Sequence, residues 1–481
     1  MTPRKKRLAI IGNGMATCRL LDELQRRGAS VRYEITVFSE ETGGAYNRVL
    51  LSKVLGGEAP DAIVTKPPAW YAANGVELVE GVVVRRLDTA AKLVELGDGA
   101  TRRYDVAVIA TGSQPLVPPL EGMITDEGAL RAGVFVYRTM QDCRAMRAYA
   151  RPGDNAVVLG GGLLGLEAAK VMSDLGLHVT VIHASKTLMN VQLDELGGQM
   201  LEREIERCGI FVRTARTVEA VLGDDALDGV RLDDGKTLAA DMLVLACGVR
   251  PRIDIGRASG LPINKGIIVN DTLATEAPGV YAVGECAEHA GKTYGLVAPA
   301  WEQVAVLADV LTGASPQARY RGSKVYARLK VAGVDVASMG HVEPELDSDE
   351  VLQVVETRRG SYRKLVVRGG MLVGAILVGN TDAAATLVQT FDRGDLLPDD
   401  PLEALCSGIA TDGRPDADRM ICNCNKVSAS RVRTAIEAGA VTVTELGAVT
   451  RAGTGCGSCK NGLVQLLARH APEPTAIVAA G

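Results

Sequence analysis

Residues 156–165 read AVVLGGGLLG, an apolar run that leads into three glycines spaced Gly-x-Gly-x-x-Gly. Such a run is typical of a buried strand, and the apolar stretch 178–182 is expected to form the next strand. The glycines permit a tight turn and let the N-terminus of the following helix face a pyrophosphate. The stretch therefore predicts a dinucleotide-binding βαβ unit. The residues predicted to line this site are Gly160, Gly162, Leu163, Leu164 and Gly165.

The end of the second strand leaves the choice of nucleotide open. His183 stands where NAD-preferring folds place an acid, and Lys186 follows closely. A missing carboxylate removes the repulsion of a 2'-phosphate, and a lysine can attract one. We therefore predict that His183 and Lys186 contact the nucleotide, which these residues allow to be either NADH or NADPH.

A similar turn lies near the N-terminus of the chain. The apolar run 8–11 is followed by GNGMAT at 12–17, with Thr17 in the third glycine position. We expect Thr17 to keep helix and strand slightly farther apart than a glycine would. A carboxylate after the second strand, at 35–38, can bind the hydroxyl groups of a ribose. The residues predicted to line this first site are Gly12, Gly14, Met15, Ala16 and Glu40.

Four of the ten cysteines form two close pairs near the C-terminus, CNC at 422–424 and CGSC at 456–459. Thiolates are soft, anionic ligands, and four of them complete the coordination of one [2Fe-2S] cluster. The same spacing allows a zinc site with four cysteine ligands. The predicted metal ligands are Cys422, Cys424, Cys456 and Cys459.

Composition limits the class of protein. The chain has 481 residues, a formal charge of -5 and 47% hydrophobic residues, which predicts several globular domains and gives no indication of nucleic-acid binding. No apolar run approaches the roughly 20 residues that span a bilayer. We expect a cytoplasmic protein that binds no membrane. Because cysteines stay reduced in that compartment, the paired ones are expected to be metal ligands or redox groups.

Four further stretches carry a family resemblance. They are YNRVLLSK at 46–53, ATG at 110–112, GVYAVGEC at 279–286 and AWEQ at 300–303. Together with the two glycine-rich turns they resemble the two-dinucleotide-binding flavoprotein disulfide reductase superfamily, in its ferredoxin-reductase and nitrite-reductase branch. The resemblance implies FAD in the first fold and NAD(P)H in the second, and it favours NADH over NADPH. The residues it adds to the cofactor sites are Arg48, Lys53, Thr111, Gly112, Gly248, Gly284, Glu285 (where aspartate is more usual) and Trp301.

Two of these positions carry an implied catalytic role. Lys53 and Glu167 match residues that pair beside the flavin N5 in relatives. A cation there stabilises electron density on the reduced ring, and its carboxylate partner lowers the cost of burying it. The stretch 41–58 contains no cysteine, although disulfide reductases of the superfamily carry a redox-active pair there. Electrons are therefore expected to leave for an external acceptor or for the C-terminal cysteines.

The C-terminal third shows a different pattern. Short alternating strands between residue 320 and about residue 406 resemble the interface domain of the same flavoproteins. Residues 407–417 are rich in Gly, Asp and Pro, and they are expected to form a linker. The C-x-C-x31-C-x2-C spacing and the loop 453–457 resemble the bacterioferritin-associated ferredoxin-like [2Fe-2S] domain. With a flavoprotein on the same chain, this resemblance favours iron-sulfur over zinc.

The predicted fold class is α/β. Two Rossmann-like dinucleotide-binding domains are expected, with the NAD domain inserted in the FAD domain, followed by an α+β interface domain and a small helical [2Fe-2S] domain. The predicted bounds are 1–120 with 245–320 for FAD, 121–244 for NAD(P)H, 321–406 for the interface domain, 407–417 for the linker and 418–481 for the cluster domain.

The whole chain resembles the amino-terminal half of NAD(P)H-nitrite reductase large subunits and the electron-transfer subunits of assimilatory nitrate reductases. This implies electron flow from NAD(P)H to FAD, to [2Fe-2S] and to a partner, expected to be a molybdenum catalytic subunit. Only 22 residues, none of them cysteine, follow Cys459, so this chain is not expected to reduce nitrite by itself. Three alternatives are a stand-alone NAD(P)H oxidase or ferredoxin-type reductase, a flavin reductase component serving a separate nitrite reductase, and a zinc-stabilised docking module.

Overall fold

The computed structural model describes residues 4–331, 333–406, 420–422, 425–455 and 459–470. The chain forms two compact units, Met1–Val191 with Leu201–Val325 and Gln192–Met200 with Tyr326–Gly481. The finer domain bounds stay a prediction, and the expected linker lies outside the described residues. No helix within the described ranges is long and apolar enough to cross a membrane.

The first unit begins with a parallel sheet of the dinucleotide-binding kind. Its strands lie in the order Val280–Ala282, Val106–Ile109, Lys6–Ile11, Tyr33–Ser39 and Val76–Glu80, and every neighbouring pair is parallel. Leu8 to Ile11 are buried, as expected for a strand covered on both faces. The elements up to residue 150 are β1 Lys6–Ile11, α1 Met15–Arg26, β2 Tyr33–Ser39, β3 Ala45–Tyr46, α2 Leu51–Leu55, β4 Val64–Lys66, α3 Pro68–Ala73, β5 Val76–Glu80, β6 Val84–Asp88, β7 Leu93–Leu96, β8 Thr101–Arg103, β9 Val106–Ile109, β10 Ser113–Pro115, β11 Val134–Val136 and α4 Met140–Tyr149.

A second parallel sheet follows, with the order β11-β18-β12-β13-β14. The chain enters and leaves this fold through two short strands that pair with each other, β10 and β19. The elements of this part are β12 Asn155–Leu159, α5 Leu163–Asp174, β13 His178–His183, α6 Glu195–Arg207, β14 Phe211–Thr214, β15 Val218–Leu222, β16 Gly229–Leu232, β17 Thr237–Ala239, β18 Met242–Leu245, β19 Val249–Pro251, α7 Asp254–Ala258, β20 Ile267–Val269, β21 Val280–Ala282, β22 Ala287–His289 and α8 Val297–Thr312.

The second unit contains an antiparallel sheet with the order β23-β24-β27-β26-β25. A smaller core near the C-terminus is built mainly from three helices. The elements are β23 Tyr326–Val331, β24 Val334–Gly340, β25 Glu350–Glu356, β26 Ser361–Arg368, β27 Met371–Val378, α9 Ala384–Arg393, α10 Pro401–Cys406, β28 Met420–Cys422, β29 Val427–Ser428, α11 Ala429–Glu437, α12 Val443–Thr450 and α13 Lys460–His470.

A buried ion pair lies within the second unit. Asp194 caps the start of α6, where its Oδ1 accepts a hydrogen bond from Gly197 N–H at 2.9 Å. Its Oδ2 accepts from Tyr362 O–H at 2.5 Å and from Lys364 Nζ at 2.9 Å. The side chains of Lys364 and Asp194 are 2% and 4% exposed, and Lys364 also contacts Glu343 at 2.7 Å. The two carboxylates compensate the cost of burying the Lys364 ammonium group.

We predict that Lys364→Met lowers the free energy of unfolding by about 3 kcal/mol, because the substitution leaves a buried carboxylate without its cation. Hydrogen exchange of the β26 amides and chemical denaturation measure the loss. Adding Asp194→Asn to Lys364→Met should recover part of it. Arg359→Met, at an exposed ion pair with Glu356, is the control and should cost less than about 0.5 kcal/mol. Equal losses for both single variants would contradict the prediction.

Candidate cofactor and electron-transfer sites

The first glycine-rich turn joins β1 to α1 through a close backbone contact. Gly12 has a φ of +99°, and a Cβ on it would lie 2.4 Å from Ala110 O at the end of β9. No atom lies within 4 Å of the corresponding position on Gly14, which precedes Met15 and Ala16 at the start of α1. The helix N-terminus therefore faces open space, as an approaching phosphate requires.

Thr17 replaces the third glycine with a hydrogen bond. Its buried hydroxyl donates to Gly12 O at 2.7 Å, which fastens the first turn of α1 to the end of β1. In the second fold the equivalent residue is Gly165, where a Cβ would lie 1.9 Å from Gly160 O. The two folds thus hold helix and strand together by different means.

The start of α8 and the preceding loop form another wall of the first site. Gly284 N–H donates to Gln303 Oε1 at 2.7 Å, and a Cβ on Gly284 would lie 3.3 Å from Ala16 Cβ. Trp301 Nε1 is buried without a hydrogen-bond partner, and the Arg19 guanidinium lies 5.2 Å from the Trp301 ring centroid. An orphaned buried donor beside a glycine cradle fits a polar ligand such as FAD.

Glu285 is held by residues that the sequence motifs did not indicate. Its Oε2 accepts hydrogen bonds from Ser113 Oγ and Arg138 Nη2, both at 2.5 Å. Arg138 Nη2 also donates to Ser113 Oγ at 2.7 Å, while Arg138 Nε is buried without a partner. Arg138 belongs to no recognisable motif, so its place in this site could not be read from the sequence.

The predicted ribose acid also has an unexpected partner. The Glu40 carboxylate is bound by both terminal nitrogens of Arg252, and the pair is half exposed. The backbone of Arg252 is fixed in turn, since its N–H donates to Gly112 O at 2.9 Å and its carbonyl accepts from Thr111 Oγ1 at 3.1 Å. Glu40, Thr111 and Gly112 are therefore brought together, with Arg252 linking them.

Arg48 lies between the two folds of the first unit. Its guanidinium forms an ion pair with Glu41 and lies 4.9 Å from the Tyr46 ring centroid. The Tyr46 hydroxyl donates to Glu41 Oε2 at 2.7 Å, and Arg48 Nη1 donates to Arg138 O at 3.1 Å. Arg48 is thus placed near Arg138 and the Glu285 cluster.

Lys53 and Glu167 are not paired among the described residues. Lys53 Nζ lies 2.8 Å from Glu58 Oε1, with both side chains more than 40% exposed. Glu167 is largely buried on α5, and burial raises the pKa of its carboxyl to about 7. Their helices, α2 and α5, contact each other, and the structure does not form the implied ion pair. Their catalytic role stays a prediction.

Tyr137 and Cys143 lie in the same region as Glu167. The Tyr137 hydroxyl is buried without a hydrogen-bond partner. Its pKa is raised by burial first and then by the nearby Cys143 and Glu167. The Cys143 thiol contacts Leu51 O at 3.6 Å, and burial raises its pKa to about 12. This cysteine therefore remains a protonated, unreactive thiol.

The second glycine-rich turn repeats the geometry of the first. Gly160 has a φ of +125°, and a Cβ on it would lie 2.3 Å from Ala246 O at the end of β18. No atom lies within 4 Å of the Cβ positions of Gly162 and Gly248. The half-buried Leu163 and Leu164 begin α5 at this open end. The turn fits a dinucleotide pyrophosphate.

His183 closes the other side of this turn. Gly161 N–H donates to His183 Nδ1 at 3.1 Å, and His183 Nε2 lies 3.2 Å from Asn190 Oδ1. Burial lowers the pKa of the His183 ring. Lys186, in the same segment, is exposed. Neither Gly161 nor Asn190 was predicted, because the fingerprint marks only the three spaced glycines.

Two of the predicted metal ligands are part of the core of the C-terminal module. Cys422 and Cys459 are 1% and 7% exposed and pack with Val432, Leu446 and Leu463. Gly453 N–H donates to Cys459 Sγ at 3.1 Å, an interaction typical of cluster-bound thiolates. Cys424 and Cys456 lie outside the described residues.

Asn425 joins the two loops that carry the cysteines. Its Nδ2 donates to Arg451 O at 2.7 Å and lies 3.3 Å from Thr454 Oγ1. Arg451 itself has a φ of +70° at the end of α12. Within the described ranges, no group of three or more His, Cys, Asp or Glu side chains could hold a metal ion, but these ranges omit half of the cysteine set. The donor chemistry and the backbone amide fit a [2Fe-2S] cluster.

Three family models match the chain. Residues 6–304 match the pyridine nucleotide-disulphide oxidoreductases, residues 326–394 the rubredoxin NAD+ reductase C-terminal domain, and residues 420–469 the BFD-like [2Fe-2S] binding domain. These matches cover both glycine-rich turns, the antiparallel sheet and the cysteine pairs. They confirm the predicted fold class and imply the expected cofactors, FAD, NAD(P)H and a [2Fe-2S] cluster.

Two curated relatives come from Bacillus subtilis (strain 168). A nitrite reductase [NAD(P)H] is 38% identical over 474 residues, which are 97% of this chain and 58% of that protein. An assimilatory nitrate reductase electron transfer subunit is 37% identical over 472 residues, 97% of this chain and 60% of that protein. The chain therefore spans about three fifths of the length of these relatives.

Solved structures share the fold. The covalent putidaredoxin reductase-putidaredoxin complex aligns with a TM-score of 0.74 at 22% identity, covering 85% of this chain and 100% of that chain. The NADH:rubredoxin oxidoreductase from Clostridium acetobutylicum aligns with a TM-score of 0.67 at 22% identity, covering 84% and 99%. The glycine-rich turns, the arrangement of the sheets and the match over residues 6–304 lead to one conclusion: the chain belongs to the pyridine nucleotide-disulphide oxidoreductase family, whose NAD(P)H-dependent oxidoreductase chemistry was expected from its sequence.

Proposed function

We propose that this chain oxidises NAD(P)H and passes the electrons through FAD and a [2Fe-2S] cluster to a partner reductase. The observation that carries the proposal is the buried cysteine module on the same chain as two nucleotide-binding turns. Cys459 is held in that module by the Gly453 amide, and Cys422 lies in the same core. A bound flavin accepts a hydride and releases single electrons, which an iron-sulfur cluster can carry.

The absence of cysteine from 41–58 supports this exit route. A disulfide mechanism needs a thiol pair on the helix that faces the flavin, and this stretch offers none. A thiol close to that stretch, Cys143, is buried against Leu51, and its raised pKa makes it a poor nucleophile. The cysteine pairs of the C-terminal module therefore supply the proposed path out of the flavoprotein part.

The proposed cofactor contacts follow the geometry of the first unit. The N-termini of α1 and α5 bind the two pyrophosphates, Arg138 and Glu285 orient the flavin chain, and Trp301 Nε1 donates to it. Glu167 lies with Tyr137 on the second fold, where the carboxyl can hold or release a proton near neutral pH because burial raises its pKa to about 7.

The proposed partner is the molybdenum catalytic subunit of an assimilatory nitrate reductase, and the proposed compartment is the cytoplasm. The relative named as a nitrate reductase electron transfer subunit supports this choice, since it matches 97% of this chain.

The function is tested by Cys459→Ser in an anaerobic titration with NADH or NADPH. We expect flavin bleaching to continue at a rate within about twofold of wild type, because the nucleotide turns are untouched. The reduced [2Fe-2S] signal in electron paramagnetic resonance, the iron and acid-labile sulfide, and cytochrome c reduction should all be lost.

Cys208→Ser, at a thiol after α6, is the control and should change none of these readings. Loss of flavin bleaching together with the cluster signal would contradict the order of electron flow. Wild-type protein with zinc in place of iron would show a structural module, and fast turnover with oxygen in Cys459→Ser would show a stand-alone oxidase.

We predict that Glu167→Gln changes the pH dependence of stability. A folded-state pKa near 7, raised from the ordinary 4.5, means that the folded protein binds more protons than the unfolded chain between those values. Wild-type stability therefore falls as pH rises through this window. Glutamine does not titrate, so the variant does not lose stability in this way. The free energy of unfolding of the variant, relative to that of wild type, should therefore be about 2 kcal/mol higher at pH 8 than at pH 5.

Thermal and chemical unfolding at the two pH values measure this gain. Glu219→Gln, an exposed position on β15, is the matched control and should show no such difference. If the difference in stability between the variant and wild type is the same at both pH values, the prediction is wrong. That outcome would mean that Glu167 pairs with a cation in solution, as the implied Lys53 contact requires.

A further inference from the structure

The end of β13 is built around a neutral histidine ring. Gly161 N–H donates to His183 Nδ1 at 3.1 Å, and a backbone N–H can only donate. Nδ1 must therefore be unprotonated, so the ring proton is on Nε2 and is donated to Asn190 Oδ1 at 3.2 Å. Both ring nitrogens are thus used within the protein.

Residues of the segment 183–190 also lie against Gly161, the middle glycine of the turn. A Cβ on Gly161 would lie 2.9 Å from His183 Cγ and 2.5 Å from Leu188 Cδ2, so a side chain there would displace the ring or the leucine. Gly161 O accepts from Met189 N–H at 2.9 Å. His183 therefore supports the turn and fixes residues 183–190 against it, whereas an acid at this position would point to a ribose.

The charged side chains in and around residues 183–190 favour the binding of an anion. Residues 183–190 read HASKTLMN, with one lysine and no carboxylate. Lys186 is exposed and forms no ion pair among the described residues. The neighbouring Arg216 donates its backbone N–H to His183 O, and its side chain is paired with Asp234 at 3.3 Å. The segment 183–190 offers no carboxylate to a ribose hydroxyl, while its Lys186 offers an ammonium group to a 2'-phosphate.

We propose that the second dinucleotide site selects NADPH over NADH, with Lys186 binding the 2'-phosphate and His183 holding the segment that presents Lys186. The inference rests on the proposed function, because it requires a nicotinamide dinucleotide in this fold. It reverses the preference for NADH that the family resemblance favoured.

The test measures binding without electron transfer, on the full chain loaded with FAD. Isothermal titration gives dissociation constants for NADP+, NAD+, 2',5'-ADP and 5'-AMP. NADP+ should bind wild type about tenfold more tightly than NAD+, the ratio expected for one charge-assisted contact. Lys186→Ser should weaken NADP+ and 2',5'-ADP by about tenfold and leave NAD+ and 5'-AMP within about twofold. Lys265→Ser, an exposed lysine before β20, is the control for lost charge.

A second variant tests the supporting role of the ring. His183→Asp restores a carboxylate at the strand end, so NAD+ should become the tighter ligand if FAD content stays at the wild-type level. Tighter binding of NAD+ by wild type, or an equal effect of Lys186→Ser on both nucleotides, would overturn the selection of NADPH and leave the proposed function standing. Failure of both nucleotides to bind would overturn the two together.

Discussion

Two backbone contacts set the geometry on which both nucleotide folds depend. A Cβ on Gly12 would lie 2.4 Å from Ala110 O, and a Cβ on Gly160 would lie 2.3 Å from Ala246 O. In each fold the first strand turns into its helix beside the end of the adjacent parallel strand. The residue at the turn must therefore accept a positive φ and also lack a side chain. Any other residue would push apart two strands of the sheet and tilt the helix N-terminus away from its ligand.

The two folds share this glycine turn beside the adjacent strand, and they differ in the side chains around the turn. In the first fold the Thr17 hydroxyl fastens helix to strand, and Glu40, the predicted ribose acid, is held by Arg252. In the second fold Gly165 allows direct backbone contact, and His183 holds the turn through Gly161. The first arrangement suits a cofactor that stays bound, because its polar groups are tied together by several partners. In the second fold the exposed Lys186 lies in the segment beside the turn. This more open arrangement suits a nucleotide that must leave after each reaction.

Sequence reasoning succeeded where local rules decide the structure. Apolar runs and glycine spacing predicted strands at 8–11 and 178–182, and the structure has β1 at Lys6–Ile11 and β13 at His178–His183. The partners Arg138, Arg252 and Asn190 were missed, because each reaches its site only through the tertiary fold and belongs to no spaced motif. The implied pairing of Lys53 with Glu167 stays a prediction, and the structure adds a carboxylate that the motif did not mark, since Lys53 pairs with Glu58. Motifs mark backbone requirements far better than they mark side-chain partners.

The C-terminal module follows a different principle from the nucleotide folds. Its core includes Cys422 and Cys459 among about ten buried residues, so potential metal ligands make up a substantial part of the apolar interior. Modules of about 50 residues have little core to spare and often rely on a bound metal for stability. Asn425 ties the two cysteine loops to each other through Arg451. Ligand binding and folding are therefore expected to be coupled through the same side chains in this module, whereas the nucleotide turns depend first on the backbone geometry of their glycines.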